Sequence, residues 1–262
     1  MQLIVPAAGL GQRFADAGYS LPKPLVEVSG LPMIVRVVRD LPTCERIAFV
    51  VHAEHVRRFA IDSVLRAHFP QCRVVVAPGL TAGQACTVRL AAEAIDLDDD
   101  VLVAACDATH VYDAADFERV RSDATVDACV WTYRGEPRVL AKPQSFGWVA
   151  ADAAGNVERV SCKWPISDNL LADRVASGFF WFRSARRMMG AIDELVADDE
   201  RVSNEFYLDV VPNRFIAAGR RVVAFDVAKY IGWGTPEDLQ DYRRWERYFA
   251  QLARAQVHRK AS

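Results

Sequence analysis

Leu3-Ile-Val-Pro6 runs into Ala7-Ala-Gly-Leu-Gly-Gln-Arg13, and Leu21-Pro-Lys-Pro-Leu25 follows close behind. An apolar strand that ends in a glycine loop carrying an arginine, with a lysine shortly after, is how an α/β fold builds a phosphate site. The loop lets backbone N–H groups approach an anion, and the two cations neutralise it. In Gly9-Leu-Gly11 the third position of a dinucleotide fingerprint is Phe14, so the loop is not G-x-G-x-x-G. It also lacks the Gly-Lys-Ser/Thr of a Walker loop. A strand followed by G-x-G alone can also be read as a tight βα turn. Lys23 tips the balance. Pro22 and Pro24 bracket it, and each proline pushes its predecessor towards extended backbone. A lysine fixed on such a stiffened segment fits an anion ligand better than a solvated surface charge.

Near-continuous apolar runs at 2–6, 47–52, 73–77, 101–106 and 126–133 predict strands buried on both faces. The stretches 32–41, 54–68, 83–96 and 113–122 between them predict helices. This βαβ rhythm predicts an α/β fold with a doubly wound, mostly parallel, Rossmann-like sheet. After residue 134 the spacing shortens into a small β elaboration. Strands are expected at 147–151, 157–162 and 177–183, the first two joined by the turn Asp152-Ala-Ala-Gly-Asn156. Helices are expected at 184–197 and 204–218, the second broken or kinked at Pro212, then a strand at 221–227. Thr235-Pro-Glu-Asp238 matches a capping box with proline at the first helical position. Leu239, Tyr242, Trp245, Phe249 and Leu252 then form an apolar stripe. The expected organisation is one domain over 1–255, divided at 134/135 and 234/235, with a frayed tail at 256–262.

The 262 residues carry 32 Lys and Arg against 34 Asp and Glu, a net charge of −2. That balance argues against nucleic acid as a partner, which would need a basic excess. No apolar run nears the roughly 20 residues that span a bilayer, so no membrane insertion is expected. No basic, signal-like segment precedes the first strand, and the expected compartment is the cytoplasm. Cys44, Cys72, Cys86, Cys106, Cys129 and Cys162 contain no C-x-x-C pair and no zinc-spaced histidine. They read as structural thiols.

Ala7-Ala-Gly-Leu-Gly-Gln-Arg-Phe14 with Pro22-Lys-Pro-Leu25 resembles the signature of the nucleoside triphosphate transferases. These are the sugar-phosphate nucleotidylyltransferases and their cytidylyltransferase relatives, with a fold of the nucleotide-diphospho-sugar transferase type. The resemblance runs along nearly the whole chain, because later landmarks fall in the expected order. It implies that residues 1–134 bind the nucleotide and 135–234 the acceptor. The loop Ala8, Gly9, Leu10 and Gly11 would wrap the triphosphate, with Arg13 and Lys23 on phosphate oxygens. Asp107 ends the apolar run Val101–Cys106, where open α/β sheets bind ligands. By position alone it could equally be a helix cap or turn residue. The resemblance makes it the anchor of Mg²⁺ on the triphosphate, a task for which one carboxylate suffices. No D-x-D pair follows, which counts against a glycosyltransferase. Gly79–Thr87 resembles the segment that recognises the base. Gly83 would permit close approach and Gln84 would hydrogen-bond a base edge, although a plain helix start capped by Thr81 would look similar.

Cys162-Lys163 stands where that family usually has Glu-Lys. Lys163 is the expected partner of the acceptor phosphate, with Lys142 second. Asn204 and Glu205 are expected on the acceptor, and Glu205 as a second metal carboxylate ahead of Asp209, with Asp226 competing. Gly232 replaces the Asp or Asn that many relatives use for metal. The reading of the whole is a nucleotidyltransferase. It would join a nucleoside triphosphate, CTP ahead of the alternatives UTP and dTTP, to a small phosphorylated acceptor such as a sugar phosphate, releasing pyrophosphate. Arg13, Lys23 and Lys163 would be its catalytic residues. The Asn-Glu-Phe-Tyr and Trp-Gly-Thr-Pro-Glu-Asp-Leu segments point towards capsule and surface-polysaccharide pathways. A glycosyltransferase and a catalytically weak nucleotide-binding regulator are the alternatives. The aromatic last helix could serve a homodimer as well as its own core.

Overall fold

A computed structural model describes the backbone of residues 1–261 and the side chains of residues 1–254. In chain order, β1 (Gln2–Ala7) leads to α1 (Gln12–Asp16), a 3-10 turn at Lys23–Leu25, the short strands β2 (Glu27–Val28) and β3 (Leu31–Pro32), and α2 (Met33–Arg39). Then come β4 (Arg46–His52), α3 (Ala53–Phe59), α4 (Ile61–His68), β5 (Arg73–Ala77), α5 (Gln84–Arg89), β6 (Val101–Ala104), β7 (Ala108–Val111), α6 (Ala114–Ser122) and β8 (Ala128–Tyr133). The second half holds β9 (Gly147–Ala151), β10 (Val157–Cys162), β11 (Arg174–Phe182), α7 (Ala185–Ala197), α8 (Val211–Ala217), β12 (Val222–Asp226), β13 (Lys229–Gly232) and α9 (Pro236–Ala261).

The strands β5-β4-β1-β6 form a parallel block, and β11 joins β6 antiparallel to extend the sheet to β9 and β10. The continuous apolar runs are explained by the period of two along a strand. Leu3 and Val5 of β1, Leu102 of β6 and Trp181 of β11 point into one core. Ile4, Val103 and Phe180, their immediate neighbours, point into the core on the other face. Each such fully buried side chain is worth about 1.5–3 kcal/mol relative to exposure. The sheet therefore cannot slip by one residue without emptying both cores.

Several expected elements differ in extent. The helix expected at 54–68 is broken at Ala60, whose φ of 49° both ends α3 and precedes α4. The helix expected at 83–96 relaxes into a 3-10 turn at Leu90–Ala94. The helix expected at 204–218 begins only at Val211, after a 3-10 turn at Leu208–Val210. Ser203 and Asn204 have φ of 48° and 71°, which no helix accommodates. Pro212 lies in the first turn of α8, where its missing N–H costs nothing. The strand expected at 101–106 leaves the ladder after Ala104, and its continuation β7 pairs instead with β13. The Asp152 turn forms as expected: its carboxylate accepts from Ala154 N (2.9 Å) and Asn156 N (2.8 Å). So does the capping box, with Thr235 Oγ1 accepting from Asp238 N and Asp238 Oδ2 from Thr235 N. The frayed tail expected at 256–262 falls where side chains, and at Ser262 the backbone, lie outside the described residues. Among the described residues no helix is long and apolar enough to cross a membrane.

One irregularity positions the site. β11 shifts register between Ala176 and Phe180, around Gly178 with its φ of 83°. There it stops pairing with β9 and starts pairing with β6. Gly178 O accepts from Ala105 N at 3.2 Å, fixing the point where β6 gives way to Cys106 and Asp107. Trp233 N, donating to Asp107 O at 2.7 Å, holds the far side.

Candidate active site

A cleft of about 500 Å³ opens at the carboxyl ends of β1 and β6. Of the residues expected from sequence, Ala8, Gly9, Gly11, Lys23, Gly83, Gln84, Asp107, Asn204 and Glu205 line it. Leu10, Arg13 and Lys163 do not. Leu10 and Arg13 are exposed on the loop and on α1, and Lys163 directly follows β10, outside the cleft lining.

The cleft floor is built by close approach. Gly11 has φ 63° and ψ 37°, a left-handed conformation that starts α1. A Cβ on Gly11 would lie 2.7 Å from Cβ of Lys23, so only glycine lets the loop and the lysine segment meet. The N–H groups of Gly9, Leu10 and Gly11 donate to no backbone carbonyl among the described residues, leaving them for an anion. The Lys23 ammonium pairs with the Asp107 carboxylate across the floor. Burial works to lower the Lys23 pKa, but Asp107 outweighs it and the net shift is upward, so the cation persists at neutral pH. Burial pushes the Cys106 thiol up to about 12, which makes it an inert wall rather than a nucleophile.

The loop Gly79–Thr87 is clipped to the segment around Phe206. Ala85 N donates to Phe206 O at 3.0 Å, and Phe206 N donates to Ala82 O at 2.9 Å. Gly83 lies between these bonds with φ 140°, and a side chain there would run into the Phe206 backbone. The close approach expected at Gly83 is thus made to the protein's own chain. Thr81 does not cap α5 from outside; its hydroxyl donates to Gly83 O (2.9 Å) and lies 2.6 Å from the Thr87 hydroxyl. Nothing in the residue pattern marks Phe206 as the partner of this loop.

After β10, Lys163 holds a φ of 66°, unusual for a side chain of this size. Its ammonium lies 4.6 Å from the Tyr207 ring centroid, and the Tyr207 side chain raises its pKa. Asp209 rests against the α-carbon of Gly147, where a Cβ would overlap its Oδ2. Burial raises the Asp209 pKa to about 6, its own backbone N–H and the charge of Lys163 opposing that only in part. A carboxyl whose folded pKa lies above its unfolded value stabilises the fold at low pH and loses that contribution as pH rises through the folded value. Ionisation of Asp209 at pH 8 therefore costs on the order of 2–3 kcal/mol. Asp209→Asn is expected to melt above the native protein at pH 8, with the advantage gone below pH 4. Thermal melts across that range check it, and a pH-independent difference would refute it.

The residues fit a divalent cation of one kind. Among the described residues, no group of three or more His, Cys, Asp or Glu side chains could form an all-protein cage. Asp107 and Glu205 both line the cleft. A hard cation completed by phosphate oxygens needs no more than these. Asp226 is engaged elsewhere, accepting from Thr132 (2.6 Å) and paired with Arg174 (3.0 Å).

Residues 3–201 match the model of the MobA-like NTP transferase domain. A 2-aminoethylphosphonate cytidylyltransferase of Lancefieldella rimae is 50% identical over 50 residues, 18% of this chain and 20% of that protein. The match thus spans about a fifth of that relative's length. A nucleoside-diphosphate-sugar pyrophosphorylase from Vibrio cholerae RC9 superimposes with a TM-score of 0.74 at 22% identity, covering 92% of this chain and 99% of the other. The inositol-1-phosphate CTP transferase from T. maritima gives 0.68 at 16% identity, covering 92% and 93%. At these identities the two structures establish likeness of fold.

Proposed function

Because this chain belongs to the MobA-like NTP transferase family and is a nucleotidyltransferase, we propose that it transfers the cytidylyl group of CTP to a small acceptor bearing a phosphoryl or phosphonyl group. The observation that carries this is the Lys23–Asp107 pair on the floor of a cleft whose wall is the glycine loop. CTP is favoured over the other triphosphates because a cytidylyltransferase and a CTP transferase are among the proteins this chain is similar to.

An acceptor oxygen attacks the α-phosphorus in line, the bond from that phosphorus to the bridging oxygen of the β-phosphate breaks, and pyrophosphate leaves with the electron pair. No protein nucleophile takes part, because such transfers run on positioning and charge neutralisation. The Gly9–Gly11 amides and Lys23 hold phosphate oxygens, with Arg13 in electrostatic reach of Lys23. Gln84, on the cleft wall at the start of α5, presents an amide to a base edge. Lys163 draws the acceptor's anionic group towards the α-phosphorus. Bound by Asp107 and Glu205, Mg²⁺ would supply further charge neutralisation at the triphosphate.

Pyrophosphate release measured with the four triphosphates, Mg²⁺ and a panel of phosphorylated and phosphonylated acceptors tests the reading. CTP is expected to give kcat/KM at least roughly tenfold above the others, the discrimination that one or two hydrogen bonds supply. Sugar transfer from a nucleotide sugar without pyrophosphate would make the protein a glycosyltransferase. Triphosphate binding without turnover of any acceptor would make it a regulator.

A further inference from the structure

We propose that Arg201 is a positioning residue for the transfer reaction: it clasps the turn 202–205 so that the side chains of Asn204 and Glu205 meet the substrate in the cleft. The proposal rests on the reaction proposed above and adds to it a residue that lies outside the cleft lining.

The turn itself is unusual. Val202 N donates to Glu205 O at 2.9 Å, and Glu205 N donates to Val202 O at 3.1 Å. That reciprocal pair closes a two-residue hairpin, with Ser203 and Asn204 at its tip at φ of 48° and 71°. Positive φ at both tip positions marks a type I′ turn, which prefers Asn followed by Gly. The chain has Ser followed by Asn. Asparagine enters the left-handed region at a cost that glycine avoids, and serine enters it less readily than asparagine. Residues held in such conformations without glycine cluster where a side chain is put to use. Asn204 and Glu205 line the cleft, and Ser203 does not. Among the described residues, the hydrogen bonds to Asn204 and Glu205 fall on their backbone groups, which leaves both side chains for a ligand.

Arg201 holds the turn from outside. Its Nη1 donates to Asn204 O at 3.2 Å, and its Nε donates to Asp199 Oδ1 at 2.5 Å. Its guanidinium carbon lies 4.1 Å from the centroid of the Phe206 ring, a cation–π contact. Phe206 is buried and fixed in turn by its backbone bonds to Ala82 and Ala85. Arg201 therefore ties the tip of the turn to the same clip that holds the loop beside Gln84. A lysine could pair with Asp199 or lie on the ring. It lacks the planar fork that reaches the Asn204 carbonyl at the same time.

A purely structural role for Arg201 would make activity follow stability, and five variants separate the two. They are Arg201→Ala, Arg201→Lys, Asn204→Gly, Ser203→Asn and the double variant Arg201→Ala with Asn204→Gly. Each is measured by pyrophosphate release with CTP, calorimetric binding of CTP with Mg²⁺, and differential scanning calorimetry. Arg201→Ala is expected to lower kcat/KM by about 10- to 100-fold, the cost of misplacing a binding group by up to an ångström. Arg201→Lys should melt close to native yet keep most of that loss. Asn204→Gly should melt at or above native, because glycine fits the turn, and still lose roughly tenfold, one hydrogen bond to substrate. The double variant should be no less active than Arg201→Ala alone, since both changes remove one contact. Ser203→Asn, which improves the turn away from the cleft, should turn over as native. Native kcat/KM in Arg201→Ala or Asn204→Gly overturns the proposal. So do additive losses in the double variant, full activity in Arg201→Lys, or a loss in Ser203→Asn as large as in Asn204→Gly. If Arg201→Ala does not fold, Arg201→Lys takes its place in the same double-variant comparison. If the native protein turns over no acceptor, the transfer reading fails, and binding decides the clasp through Glu205: unchanged affinity for CTP with Mg²⁺ in Arg201→Ala refutes it.

Discussion

Lys23→Ala is expected to lower kcat/KM for pyrophosphate release by about 10³, the loss seen when one preorganised charge donor is removed from a developing anion. Lys23 is the one cationic side chain among the residues lining the cleft. Its removal does more than delete a contact, because Asp107 then faces the triphosphate uncompensated. A floor that carried no net charge becomes anionic, and it must now accept a polyanion. Both terms act in the same direction, so KM for CTP rises while kcat falls. Arg13 cannot substitute from where it stands, exposed on α1 and outside the cleft lining. The measurement is steady-state pyrophosphate release together with calorimetric CTP binding, with circular dichroism as the control for folding. A variant within about fivefold of native turnover would mean that the triphosphate is cradled elsewhere.

The legibility of this site in the sequence follows the range of the interactions that build it. The loop and lysine could be read because their chemistry is local. Two glycines, an arginine and a proline-bracketed lysine state a backbone requirement within 25 residues, and Gly11 meets Lys23 as that requirement implies. Asp107 could be read because a strand's end is visible as the end of an apolar run. The capping box at Thr235 and the turn at Asp152 are local in the same sense.

Where tertiary contacts decide the backbone, the sequence pattern misleads. Residues 204–218 have the composition of an amphipathic helix, yet Phe206 is drawn into backbone pairing with Ala82 and Ala85, and no helix can form across that clip. The strands β7 and β13 are four residues each and gain their ladder only from one another. At Cys162 the sequence showed an acid missing. It could not show that Asp209, on another element, brings a carboxylate to within electrostatic reach of that thiol. Glycines read as freedom for a ligand can also serve the protein itself, as Gly83 and Gly147 do.

Gly83→Ala should therefore damage both ends of the site at once. The residue sits at φ 140° and ψ 175°, a region that essentially glycine alone enters, at a strain of about 1–3 kcal/mol for any other residue. Its new Cβ would also meet the Phe206 backbone, so the clip must open. Losing the bonds from Ala85 N to Phe206 O and from Phe206 N to Ala82 O adds about 1 kcal/mol each. The sum is on the order of 3–5 kcal/mol, a fall in Tm of roughly 6–20 °C for a chain of this size. The functional loss has its own signature. Gln84 and Glu205 sit beside the clip on the two segments it joins, so opening it misplaces the residues proposed for the base and for the acceptor together. KM should rise for both substrates, and kcat/KM should fall by about 10², the usual cost of an ångström of misplacement. Lys23→Ala, by contrast, acts on the triphosphate alone. Gly79→Ala is the control within the same loop, since Gly79 has open space where a Cβ would go and no left-handed φ. Differential scanning calorimetry and paired KM measurements on the two variants decide it. A Gly83→Ala protein that melts within 2 °C of native, or that raises KM for CTP only, would show that the clip does not couple the two halves.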